Sequence, residues 1–388
     1  MPVIFRAEDT SSSPFISNSV EAMSSLLSAA PLSLPPGFHD ALPPQAEREE
    51  EVIARLMALF HQHGYDRVRP SLVEYERSLF AAPDSEALRR RSLRISDPQS
   101  GRMLAVRPDI TLQLRRLAST RLASQPRPLR LSYAGQALRL TGSALRPARQ
   151  ISQAGLELIG WPATAAPQAS FEVLDAVLAA LDAIGLARVT LDWVLPTLMP
   201  RFLAAAGLDR EQREALLIAL DGKDTVQITA LAGPHAEALQ ALRRAAGPWR
   251  DAWSALQQHA AIAPLLTPEL TYLPALAERL EERWPEVQIM LDPLERRGFQ
   301  YQTGLSFSLF APGLRGEIGR GGHYRIGEEW AVGASLYVDS ILHGTAAQEE
   351  GAVRFFDPDA PQHELDAARA GGERAARRFI APTENETG

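Results

Sequence analysis

Residues 133–160 read YAGQALRLTGSALRPARQISQAGLELIG. The segment opens with apolar residues in alternation, crosses a polar loop holding Gly142 and Pro147, and resumes as an apolar run. A period of two marks a strand, and Gly/Pro punctuation marks a turn. Strand, basic loop and strand are therefore predicted. A hairpin around a basic loop is one way to grip a nucleotide, but Arg139 has no acid beside it and Thr141 stands two residues on. In the second strand Gln153 and Glu157 are four residues apart, so both project from one face. Glu157 sits between Leu156 and Leu158, and a carboxylate in an apolar setting needs a partner. A cationic or N–H-bearing ligand would serve, and so would an internal arginine.

The pattern extends outward on both sides. Upstream, LPPGFHDALPPQ (34–45) is a Pro-rich entry, and 46–64 carries Val52, Ile53, Leu56, Leu59 and Phe60 at helical spacing. YDRVRPSLVEY (65–75) alternates as a strand, with Pro70 marking an edge or a bulge. A hairpin is predicted over 92–109, turning at DPQSG, and a helix over 110–123. Downstream, 170–186 reads as an amphipathic helix and 187–194 as a strand. From 195 to 282 the pattern is almost wholly helical and Ala/Leu-rich, which predicts a helical insertion. Strand signals return at 287–293, 299–313 and 317–326, and 330–344 reads as a strand entering a helix. The last segment, 346–388, holds one weak strand and one weak helix. Hairpin-linked strands with interspersed helices predict an α+β fold, an antiparallel sheet with flanking helices.

Composition narrows the function. The 388 residues are 45% hydrophobic and 22% charged, as in an ordinary globular protein, with a core spanning roughly 33–345. A net charge of -7 gives no global field for nucleic acid, although arginines cluster between Arg89 and Arg149. With no cysteine there is no disulfide, thiolate nucleophile or Cys-based zinc site, which fits a reducing cytoplasm. Residues 1–32 are no signal peptide and are expected to form a mobile or partner-dependent extension. No apolar run is long enough to span a bilayer, so no membrane partner is expected.

Several motifs are weak alone. Lys223 is the only lysine, and LDGKDTV lacks the spacing of a phosphate loop. HQHG (61–64) reads as solvated helix-end residues, and no carboxylate set completes a metal site, so no metal is expected. GRGGHYRIG (319–327) suits either a close backbone approach to a ligand or a bulge. In RPDIT (107–111), Asp109 either caps the following helix or holds an ammonium group with Thr111 beside it. No GxGxxG follows a strand, which argues against a dinucleotide fold.

In their order and spacing these pieces resemble the class II aminoacyl-tRNA synthetase core, in its histidyl branch. GYDRVRPSLVE is similar to motif 1, with Pro70 as its proline, and AVRPDIT to the histidyl LRPEGT. The 133–160 segment resembles motif 2, RGFQYQTGLSF (297–307) the histidine-specific RGLDYY segment, and AVGASLYVDSIL motif 3. The resemblance covers roughly 34–345 and implies a candidate histidine pocket of Asp109, Thr111, Gln153, Glu157, Arg297 and Tyr301, with Gln302 where the family has a second tyrosine. It also implies a degenerate ATP site. Arg139 matches the motif 2 arginine, Thr141 stands where the family has an acid, and Ser340 stands where motif 3 has its phosphate-binding arginine. A hydroxyl cannot reproduce an arginine fork on a polyphosphate, a contact worth about 2–3 kcal/mol.

A synthetase-like body without synthetase chemistry, and with 346–388 as the remnant of a lost domain, is similar to the regulatory subunits of ATP phosphoribosyltransferase. That resemblance implies a non-catalytic subunit in the first step of L-histidine biosynthesis, with no catalytic residues and no cofactor of its own. The implied partners are a short-form catalytic subunit in a hetero-octamer, a second copy through the motif 1 region, and L-histidine, but no tRNA. The alternative is a synthetase-like enzyme that activates histidine for tRNA or another acceptor.

Overall fold

The computed structural model of the protein describes residues 33–82, 85–142, 146–222, 224–266, 272–295, 302–345, 354–357 and 359–377. Helix α1 (Gln45–Gln62) forms at the predicted spacing and buries Val52, Leu56, Met57 and Phe60. YDRVRPSLVEY makes two short strands rather than one: β1 (Asp66–Arg67) and β2 (Val73–Tyr75). They belong to different sheets, and Pro70 lies between them, where its missing N–H interrupts the ladder. The expected hairpin is β3 (Arg94–Ser96) and β4 (Met103–Val106), closed where Gly101 N–H donates to Asp97 O at 2.8 Å. With β2 it makes a three-stranded sheet, and α2 (Thr111–Ser119) follows directly.

The segment 133–160 supplies the centre of the main sheet, as β5 (Leu129–Leu138) and β6 (Gln150–Trp161). Then come α3 (Ala166–Ala183), β7 (Thr190–Val194), helices between Leu198 and Arg283, the two-residue β8 (Gly247–Pro248) and β9 (Gln288–Asp292). β10 (Gln302–Phe310), β11 (Gly319–Ile326), β12 (Glu329–Tyr337) and α4 (Val338–Leu342) complete the body. The nine strands run in the order β1-β5-β6-β12-β11-β10-β7-β9-β8. The sheet is antiparallel from β5 through to β7, but β1 joins β5 and β9 joins β7 in parallel, so it is mixed.

The two faces of this sheet do different work. On one, Leu156, Leu158, Val332, Ala334, Leu305 and Phe307 pack beneath α1 and α3 in a hydrophobic cluster that also takes in the helices between Leu198 and Arg283. β8 pairs with β9, so the mainly helical stretch between Leu198 and Arg283 also contributes to the sheet. On the other face, α2 lies on Leu129, Leu131, Tyr133 and Ile159 through Ile110 and Leu114. Every second residue of β5, β6, β11 and β12 therefore faces α2, and these residues build the site. Past the body, β13 (Arg354–Phe356), α5 (Gln362–Ala370) and β14 (Ala375–Arg377) form a small unit with paired parallel strands.

Candidate functional site

The site begins where β4 ends. Arg107 is buried and donates to Gln136 O at 2.7 Å, to Pro70 O at 3.0 Å and to Gln113 Oε1 at 3.2 Å. It ties the end of β4 to β5 and to the proline of the motif 1 stretch. Two residues on, Asp109 turns inward, and its Oδ1 accepts the Thr111 amide at 2.8 Å. The carboxylate thus satisfies one of the orphan amides at the start of α2. Its other oxygen accepts Gln153 Nε2 at 3.2 Å, and the Ile110 amide donates back to Gln153 Oε1 at 3.3 Å. Of the two roles the sequence offered Asp109, the structure shows the cap at the helix start, and the second carboxylate oxygen is taken by Gln153.

Glu157 lies on the same face of β6. It receives Thr111 Oγ1 on Oε1 at 2.9 Å and the Tyr324 hydroxyl on Oε2 at 2.8 Å. Its hydrogen-bond partners are two hydroxyls, where the sequence suggested a ligand or an arginine. Tyr133 extends the network, with its hydroxyl 3.3 Å from Thr111 Oγ1 and 2.6 Å from Ser335 Oγ. Asp109, Thr111, Gln153 and Glu157 are 1%, 6%, 0% and 1% exposed, so the cluster is closed to water in this state. Burial pushes the Glu157 carboxyl up to about 8, and neighbouring Asp109 adds to the rise, against the opposing pull of Tyr324, Thr111 and Arg115. The Tyr133 phenol is also raised, by burial and by the negative charge of Glu157 and Asp109.

Small residues make room for this network. Glu157 pairs across the sheet with Gly333, and Gly333 with Gly322. A Cβ on Gly333 would overlap the Glu157 carboxylate. Gly322 has φ 151°, which favours glycine.

The surroundings of Arg139, Thr141 and Ser340 are built differently. Arg139 leaves the end of β5 with its guanidinium 6.0 Å from the Tyr337 ring centre. Thr141 is exposed and Ser340 is half-buried on α4. The guanidinium of Arg146 packs 3.8 Å over the Tyr337 ring and pairs with Glu317. Glu317 also accepts Arg320 Nη2, at 2.5 and 2.7 Å, and the Ser308 hydroxyl at 3.2 Å. Burial alone would raise the Glu317 carboxyl, but Arg320 and Arg146, helped by Ser308, outweigh it and hold it below its usual range. Asp339, beside Ser340, accepts the Ser152 amide at 2.8 Å.

The predicted residues thus separate into two groups. Asp109, Thr111, Gln153 and Glu157 meet in one connected network. Arg139 lies toward Tyr337, Ser340 is half-buried on α4, and Thr141 is exposed to solvent. Arg297, Tyr301 and Lys223 lie outside the described residues. Sequence reading passed over Tyr324, Tyr133, Ser335, Arg320 and Glu317. Alternation along HYRI and YAGQAL could have put the two tyrosines on the site face. Among the described residues no group of three His, Cys, Asp or Glu side chains is placed to hold a metal ion, and no helix is long and apolar enough to cross a membrane.

The family model for histidyl-tRNA synthetase matches residues 37–341. An ATP phosphoribosyltransferase regulatory subunit of Paramagnetospirillum magneticum is 44% identical over 342 residues, covering 87% of this chain and 88% of the relative. One from Rhodospirillum centenum is 43% identical over 311 residues, covering 80% and 79%. Among solved structures, an ATP phosphoribosyltransferase regulatory subunit/histidyl-tRNA synthetase from Bacillus halodurans superposes with a TM-score of 0.75 at 21% identity, covering 92% of this chain and 96% of that one, which speaks to the fold alone. The chain belongs to the ATP phosphoribosyltransferase regulatory subunit family, built on a histidyl-tRNA synthetase-like fold.

Proposed function

We propose that this chain is the non-catalytic regulatory subunit of an ATP phosphoribosyltransferase. It activates a short-form catalytic subunit in the cytoplasm and takes part in histidine feedback inhibition. The observation that carries the reading is the asymmetry of the site. The half that would hold an amino acid keeps a connected network of Asp109, Gln153, Thr111 and Glu157. In the nucleotide half, a hydroxyl stands at Ser340 and Thr141 is exposed. In this reading histidine sets its ammonium against Asp109 and a ring N–H against Glu157, with Arg297 and Tyr301 completing the pocket. The chain dimerises through the motif 1 region, joins its catalytic partner in a hetero-octamer, and reads no tRNA. Feedback then requires histidine to bind two states of the assembly unequally.

The same acid network also favours a second reading, a synthetase-like enzyme that activates histidine. ATP–pyrophosphate exchange with histidine separates the two. No exchange above background is expected, because one lost arginine contact of about 2–3 kcal/mol already costs one to two decades in rate and the acid is lost with it. Robust exchange would establish the enzyme reading instead. Calorimetric titration of histidine into the isolated chain and into the mixed complex gives heat in at least one case if the pocket is in use. Heat in neither would leave a scaffold with an empty pocket.

A further inference from the structure

One row of residues crosses the main sheet on the site face, from the acid cluster to a hydroxyl without a partner. Glu157 on β6 pairs with Gly333 on β12, Gly333 with Gly322 on β11, and Gly322 with Ser306 on β10. Cross-strand partners project from the same face, so Glu157 and Ser306 share it with two glycines between them. Ser306 is 5% exposed, and its hydroxyl is buried with no hydrogen-bond partner. Burying a hydroxyl without a partner is destabilising, so its presence calls for a reason. Ser152 Oγ and the indole nitrogens of Trp161 and Trp193 are also unpartnered, but they belong to the other face of the sheet. The row is flanked by Tyr324, whose hydroxyl is on Glu157, and by Ser335, whose hydroxyl meets that of Tyr133. Those hydroxyls are taken, and that of Ser306 is not. Gly333 and Gly322 raise no side chain from the sheet, and the Glu157 carboxyl leans over Gly333, where an added Cβ would overlap it. From Gly333 to Ser306 is two strand spacings, roughly 10 Å. A five-membered ring with a hydrogen bond of about 2.8 Å at each end is roughly 8 Å long.

We infer that Ser306 is a specificity-determining residue of the pocket, its hydroxyl donating to the ring nitrogen of the ligand that faces away from Glu157. This rests on the histidine-pocket reading above and adds to it a requirement for an acceptor nitrogen in the ring. Glu157 accepts the ring N–H, and Ser306 meets the second nitrogen from the opposite side. The ring held between them is therefore neutral imidazole, with one N–H and one lone pair. The partner that the Ser306 hydroxyl lacks is then supplied by the ligand rather than by the protein. A site built to hydrogen-bond a polar ligand rejects an analogue without the matching group, because a buried polar atom is left unpaired.

The test compares L-histidine with the pyrrolylalanines, whose ring keeps one N–H and lacks the acceptor nitrogen. Calorimetric titration into the full-length chain, alone and with the catalytic subunit, is expected to give about tenfold or more tighter binding of histidine. In Ser306→Ala, histidine binding is expected to weaken about fivefold or more while pyrrolylalanine binding is unchanged, so the preference shrinks. The same variant is expected to melt no lower than the wild type, because it removes a buried hydroxyl that has no partner. A purely structural serine would show the reverse, a lower melting temperature and both ligands weakened alike, and that result overturns the inference. Equal binding of histidine and the pyrrolylalanines by the wild type also overturns it, as does a Ser306→Ala variant that binds histidine like the wild type. All three outcomes leave the histidine pocket standing. Binding of no ligand by the wild type removes the pocket reading itself, and this inference with it.

Discussion

Gly333→Ala is expected to destabilise the protein by about 3 kcal/mol and to abolish histidine binding, although the substitution adds only one methyl group. Gly333 sits on β12 directly opposite Glu157, between strands paired along their whole length. An added Cβ overlaps the carboxylate of Glu157 and stands 2.7 Å from Leu156 O. Neither neighbour can yield cheaply. Leu156 O belongs to the ladder, and Glu157 is held by Thr111 and Tyr324. Overpacking of this kind costs about 1–3 kcal/mol, and each buried hydrogen bond given up adds about 1 kcal/mol. Urea denaturation measures the loss. In a Glu157→Ala background the same glycine substitution is expected to cost less than in the wild type, because the carboxylate is gone and only the contact with Leu156 O remains. A Gly333→Ala protein as stable as the wild type would mean that the carboxylate does not rest on β12.

The second large effect is on the pH dependence of stability. Burial raises Glu157 to about 8 in the folded chain, against an ordinary value of 4.5. Between those values the folded state binds more protons than the unfolded one, so stability falls as pH rises. The contribution is fully present below pH 4.5 and is lost as pH passes through about 8. At roughly 1.4 kcal/mol per unit, the shift is worth about 5 kcal/mol between those limits. Glu157→Gln keeps an acceptor for Thr111 and offers a donor to the Tyr324 oxygen, much as the protonated acid does. The difference in unfolding free energy between wild type and Glu157→Gln is therefore expected to be small at pH 5 and to reach several kcal/mol in favour of the variant at pH 8.5. Parallel profiles for the two proteins across that range would exclude an ionising buried carboxyl.

Much of this site can be read from one segment. The alternation in 133–160 makes β5 and β6, and a period of two puts Gln153 and Glu157 on one face. The hairpin turning at DPQSG and the helix after RPDIT are equally local. What local pattern does not carry is pairing. Tyr324 reaches Glu157 only because β11 and β12 lie next to β6, a fact of strand order. Arg146 and Glu317 meet across 171 residues. The split of YDRVRPSLVEY into β1 and β2 depends on which sheets receive them, and so do the parallel pairings of β1 and β9. The sequence of GRGGHYRIG shows its glycines plainly, and their density masks the alternating Arg320, Gly322 and Tyr324 that share a sheet face with Glu157.

The most direct measurement is to mix the purified chain with a short-form ATP phosphoribosyltransferase catalytic subunit and assay transferase activity with and without histidine. A stable co-purified complex is expected, with the catalytic subunit nearly inactive alone, active in the mixture, and inhibited again by histidine. A chain that neither binds nor activates that partner would contradict the regulatory role.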